Sequence, residues 1–117
     1  MSEWLIEGNH VTALGALALE HVRVPEDQQV DGAPTTGYLE LGSVGSAEVG
    51  VWEMSVGAMS DTEADEVFVV LSGEATIELL DEGRTLSISA GDLVRLSPGT
   101  RTIWSVAAPL RKLYITL

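Results

Sequence analysis

Glu66-Val67-Phe68-Val69-Val70-Leu71-Ser72-Gly73-Glu74-Ala75-Thr76-Ile77-Glu78-Leu79-Leu80-Asp81-Glu82-Gly83-Arg84-Thr85-Leu86-Ser87-Ile88 is the stretch on which the fold turns. Two β-rich runs, Glu66–Ser72 and Glu74–Leu80, are separated by Gly73, and a third returns over Arg84–Ile88. Asp81-Glu82-Gly83 is a tight-hairpin signal, because glycine supplies the positive φ that such turns require. The same grammar extends in both directions. Upstream runs are Tyr38–Leu41 and Glu48–Ser55, and downstream runs are Asp92–Leu96, Arg101–Val106 and Leu110–Ile115. The punctuation is Gly42-Ser43-Val44-Gly45, a loop over Gly57–Asp65, Ala90-Gly91 and Ser97-Pro98-Gly99. Short strands at regular spacing, with no helix-length segment between them, predict an all-β antiparallel sandwich or barrel. A parallel α/β fold is excluded for want of crossover helices.

The chain has 117 residues, enough for one domain with a sizeable core and too few for two. Residues 1–33 read as an N-terminal arm and residues 38–117 as the barrel body. The arm's segment Leu17–Val24 fits either a strand or the end of a short helix. There is no cysteine, so thiol nucleophiles, thiolate metal sites and disulfides are all absent. The opening Met-Ser-Glu-Trp carries an acid where a secretion signal needs positive charge. The apolar stretch Val11–Leu19 is too short to span a bilayer. A cytoplasmic protein is the default expectation.

The formal charge is −12. Such an acidic surface repels phosphate backbones and anionic headgroups, which argues against nucleic-acid and membrane-surface partners. The charge is also uneven. Residues 1–83 hold 17 acids and one base, Arg23, whereas residues 84–117 hold one acid, Asp92, and five bases. Those bases are Arg84, Arg95, Arg101, Arg111 and Lys112.

Gly57…Glu66-(six residues)-Gly73 followed by Gly91-Asp92-(six residues)-Gly99 resembles the two consensus motifs of the cupin superfamily, whose members are small jelly-roll barrels. Gly50-Val51-Trp52-Glu53, Asp65-Glu66 and Arg111-Lys112-Leu113-Tyr114 narrow the resemblance to small single-domain cupins related to the (S)-ureidoglycine aminohydrolase domain. Gly73 and Gly91 read as strand ends and Gly99 as part of a turn. Asp92 reads as a side chain that bonds its own turn's amides.

In metal-binding cupins a His-x-His pair, a Glu and a further His hold the ion. Here the resemblance puts Ser60 and Thr62, or Met59 and Asp61, at the paired positions, with Glu66 and Thr102 at the others. One or two carboxylates with hydroxyls do not hold a transition metal against water. The histidines, His10 and His21, lie far away in the arm. Asp61, Glu63 and Asp65 lack the ligand count of a dedicated calcium loop and read as solvated charge. No metal and no cofactor is therefore expected.

In a cupin-like barrel, strand alternation turns Glu66, Phe68 and Val70 inward, together with Thr102 and Trp104. Lys112 and Tyr114 share one face of their strand. The resemblance thus implies a pocket of Trp52, Glu53, Glu66, Phe68, Thr102, Trp104, Lys112 and Tyr114. Its catalytic candidates are Glu66, Lys112 and Tyr114. In the jelly roll the two charged segments face each other, so Lys112, and Arg101 with it, should lie near Glu66 or Glu53. The leading reading is a metal-free protein that binds a small polar or anionic metabolite. The alternatives are a hydrolase or isomerase resembling ureidoglycine aminohydrolase relatives, with Glu66 as acid/base, and a scaffolding subunit. The apolar arm suggests a homodimer. No nucleophile elbow, phosphate loop or dinucleotide glycine run is present.

Overall fold

The structure is a computed structural model that describes residues 6–117, so the Met-Ser-Glu-Trp opening lies outside the described residues. Strands β1 (Val22–Arg23) and β2 (Gln29–Asp31) belong to the arm. The body contains β3 (Thr35–Val44), β4 (Ala47–Met54), β5 (Gly57–Thr62), β6 (Glu66–Leu79), β7 (Arg84–Ser89), β8 (Leu93–Leu96) and β9 (Arg101–Thr116). All pairings are antiparallel, as the short-strand pattern predicts.

The long β6–β9 pair is the spine. Along one edge of β9, its first half pairs with β5 and its second half with β4. Along the far edge of β6, β8 covers the first half and β7 the second. Each long strand thereby serves two sheets, and the antiparallel sheet curls into a jelly-roll barrel. Inside it, Phe68, Val70, Ile77, Leu79, Trp104, Val106 and Leu110 form the core with Met54, Met59 and Leu96.

Three readings of the sequence are corrected. The segment from Gly57 to Asp65 is not simply a loop, because Gly57–Thr62 forms β5, each residue paired with β9. Small and polar side chains hid this strand, and its partner supplies the ladder that they cannot specify. The paired runs on either side of Gly73 are a single strand, as are the two runs on either side of Ala107–Pro109. Gly73 therefore ends nothing. It sits in a run of register shifts between Val70 and Ala75 at φ +94°, where an added Cβ would lie 2.2 Å from the Pro109 carbonyl oxygen. That irregularity switches the parity of β6. Even-numbered Phe68 and Val70 point inward before it, and odd-numbered Ala75, Ile77 and Leu79 after it.

The smaller turns follow the reading closely. Gly83 takes φ +65°, and its amide donates to the Leu79 carbonyl. Asp92 accepts from the Ser89 amide at 2.8 Å. The Gly42–Gly45 hairpin is shifted: β3 continues to Val44 and the turn falls after it. The arm folds back on its own barrel. It makes short 3-10 turns at Leu14–Ala16 and Glu26–Gln28, with β1 on β3, β2 on β5 and Val24 buried.

Candidate functional site

Registration across the sheet builds the site. Lys112 on β9 stands opposite Trp52 of β4 on one side and Val70 of β6 on the other. Trp104 stands between Met59 of β5 and Ile77 of β6. Every second residue of β9 from Thr102 to Tyr114, Ala108 apart, is buried, so Lys112 is carried inside by the alternation that buries Leu110.

Within the barrel, the Lys112 ammonium lies 3.2 Å from Glu66 Oε2, with side chains only 6% and 13% exposed. It faces the rings of Trp52, Phe68 and Trp104 at 4.7, 4.2 and 4.7 Å from their centroids. The rings brace one another: Trp104 packs on Trp52 at 5.4 Å and on Phe68 at 5.6 Å. Glu63 fixes Trp104 from behind, accepting from its indole N–H at 2.9 Å and from the Thr102 hydroxyl at 2.6 Å. Burial lowers the Lys112 pKa, and Glu66, Glu63 and Asp61 oppose that shift.

A cleft of about 320 Å³ opens onto this group, lined among others by Trp52, Asp61, Glu66, Trp104, Lys112 and Tyr114. Burial raises the Asp61 carboxyl, and the neighbouring Glu63 adds to the rise. Burial, then Glu48, also raises the Tyr114 phenol well above its ordinary value. Tyr114 therefore stays protonated and donates to Glu48 Oε2 at 3.2 Å. Gly50 makes room for that ring, since a Cβ there would fall 2.2 Å from the Tyr114 oxygen. A larger open groove of about 570 Å³ lies elsewhere, and Asp31 and Glu74 are its only titratable lining residues. The buried ion pair and the tryptophan rings border the smaller cleft.

Of the eight residues expected in the pocket, Trp52, Glu66, Trp104, Lys112 and Tyr114 line the cleft. Phe68 and Thr102 stand behind it, 1% and 0% exposed. Glu53 lies elsewhere. Next to Trp52 on one strand, it points to the other face, where it takes Arg111 at 2.8 Å and His21 at 2.6 Å. Arg101 does not line the cleft either: it points outward and pairs with Asp81. The cleft instead includes Asp61 and Glu63, read from sequence as solvated loop charge. For Asp61 the signal was the motif spacing, which put one paired-ligand position on it; Glu63 had none.

The donor set does not fit a transition metal. Glu66 already faces an ammonium, Thr102 donates to Glu63, and Asp65 pairs with Arg95. Among the described residues, no group of three or more His, Asp or Glu side chains could hold an ion. Also among the described residues, no helix is long and apolar enough to cross a membrane.

This curled barrel, with its inward Glu66 and the glycine pattern of both motifs, defines a cupin. The family model of the EutQ-like cupin domain matches residues 41–114, and the chain belongs to that family. Among solved structures, it is similar to the EutQ protein of Clostridium difficile, with 26% identity over 81% of this chain and 79% of that one, at a TM-score of 0.63. A putative ethanolamine utilization protein Q from Salmonella typhimurium is 21% identical over 87% and 97% of the two chains, at 0.62. A cupin superfamily protein from Desulfitobacterium hafniense is 13% identical over 98% and 95%, at 0.65. The last two show the fold alone. Among curated proteins, none matches the chain by sequence.

Proposed function

We propose that this protein binds a small polar metabolite in the cleft beside Glu66 and Lys112, without a metal. The observation that carries the reading is an ion pair placed at a cleft walled by two tryptophans. A few fixed polar groups on apolar walls are what small-ligand sites use for orientation and affinity. Three carboxylates, Asp61, Glu63 and Glu66, share the cleft with one ammonium. That balance favours a neutral hydrogen-bonding metabolite over the anionic class also expected from sequence. A thermal-shift screen of neutral polyols, amides and carboxylates tests this. A hit should lose its stabilising effect in Glu66→Gln, and a hit that survives both Glu66→Gln and Lys112→Met overturns the site.

One observation favours a second reading. A carboxyl with raised pKa, Asp61, lines the same cleft as the ion-paired Glu66, and such splitting suits acid/base chemistry. A hydrolase or isomerase, of the kind the ureidoglycine aminohydrolase resemblance implies, would use it. Turnover of a screening hit that is lost in Asp61→Asn would establish that reading. Pairing of two copies through the arm is supported by the exposure of Val11, Val22 and Val30. Sedimentation of the full chain decides it, and a monomer at micromolar concentration would end it.

A further inference from the structure

Beside the cleft lies an unusual group. The rings of Trp52 and Trp104 from its wall, that of Phe68 behind it, and the Glu66 carboxylate surround a single primary ammonium, and that ammonium belongs to the chain itself. A ring of aromatic faces is how proteins take up organic cations, because each π-face presents negative potential to a charge stripped of water. The carboxylate adds a charge-assisted hydrogen bond.

We propose that Trp52, Phe68, Trp104 and Glu66 form an alkylammonium-binding cage that Lys112 occupies as an intramolecular ligand, making its ammonium the resident cation of a barrel whose donor set does not fit a metal. The three rings are held by contacts other than those to Lys112. Glu63 holds Trp104 through the indole N–H, and Trp104 packs against both other rings. The aromatic part of the cage therefore does not depend on the lysine that fills it, whereas the Glu66 carboxylate is held by the Lys112 ammonium itself. In the intact protein the occupied cage shuts free primary amines out of the wall and leaves the neighbouring cleft to neutral ligands. The inference stands whether or not the cleft takes a metabolite.

The test is chemical rescue. Truncation by Lys112→Ala removes the tethered ammonium and leaves the four cage residues in place. Thermal melting of this variant is followed with n-propylammonium, which matches the three carbons and the nitrogen removed, and with 1-propanol as the neutral isostere. n-Propylammonium should raise the melting temperature of Lys112→Ala at least tenfold more effectively, per unit concentration, than 1-propanol. It should leave the intact protein unmoved, and the advantage should vanish in Lys112→Ala/Glu66→Gln. Equal rescue by 1-propanol would show an apolar hole rather than a cation cage, and no rescue by either would overturn the proposal. Should Lys112→Ala not fold, the intact protein still decides. With ¹⁵N-lysine labelling, the Lys112 ammonium should give a slowly exchanging NH₃⁺ signal near neutral pH, with its protons shifted upfield by the rings. A neutral amine, or a signal like that of a solvated lysine, would refute the cage.

Discussion

Arg111 and Lys112 are neighbours on β9, and each is paired with a largely buried glutamate, yet they lie on opposite faces of the sheet among different neighbours. Lys112 points into the barrel, where Glu66 and three rings replace its water. Arg111 points to the other face, where it holds Glu53, and through its second arm the Leu14 carbonyl at 2.8 Å. His21 completes that outer cluster, bonding Glu53 at 2.6 Å and the Thr35 hydroxyl at 2.8 Å. The outer group ties the arm to the barrel and the inner one equips the cleft. A shift of one residue along a strand changes a clamp into a site, because successive side chains face opposite sides of the sheet.

The largest effect is expected at Lys112. In Lys112→Ala, Glu66 is left without its cation and the rings border a hole, so a loss of about 3–5 kcal/mol is expected by urea denaturation. A loss below about 1 kcal/mol would mean that the inner pair is solvated like a surface ion pair. Gly50→Ala comes next. Its Cβ collides with the Tyr114 ring, and a cost of about 1–3 kcal/mol is expected, smaller when combined with Tyr114→Ala. Additive costs in that double mutant would show that the two do not meet.

The outer cluster is sharpened by pH. Burial pushes the Glu53 carboxyl up, but the hydrogen bonds and charges of His21 and Arg111 outweigh it, leaving the pKa below its ordinary 4.5. A lowered carboxyl contributes stability that is fully present above the unfolded value and is lost as pH falls through the folded one. Glu53→Gln should therefore cost about 1–2 kcal/mol at pH 7 and progressively less below pH 4.5. A cost that does not shrink in acid would assign the loss to packing.

Asp61 has the opposite sign. Its folded pKa is raised above 3.8, so ionising it opposes folding as pH rises through that value and beyond. Asp61→Asn should gain about 0.5–1 kcal/mol at pH 7 and nothing in acid, the pattern of a side chain kept for function at some cost in stability. Destabilisation at pH 7 would contradict it. The smallest effect belongs to Arg101→Ala. That residue pairs with Asp81 in open solvent, where ion pairs contribute little, and the melting temperature should not move.

Much of the site was legible because alternation is a local rule. Glu66, Thr102, Trp104 and Lys112 could be placed inside from strand parity and motif spacing. The same rule should have separated Trp52 from Glu53, since adjacent residues of one strand do not share a face. Asp61 and Glu63 were hidden for another reason. The strand that carries Asp61 and leads into Glu63, Gly57-Ala58-Met59-Ser60-Asp61-Thr62, has no run of branched apolar residues and is held by its pairing with β9 rather than by its own preferences. The parity change at Gly73 was equally hidden, since a bulge is defined against a partner strand.

The uneven charge shows where the sequence stops. The acidic first 83 residues and the basic remainder establish that the two halves carry complementary partners, and the turn glycines with alternating runs establish an antiparallel barrel. These are properties of neighbours along the chain. Which partners meet is a property of register. Lys112 found Glu66, Arg111 found Glu53 and Arg101 found Asp81. Only closure of the barrel decided that the first pair would sit among three aromatic rings, because burial and dielectric exist only once distant strands have packed.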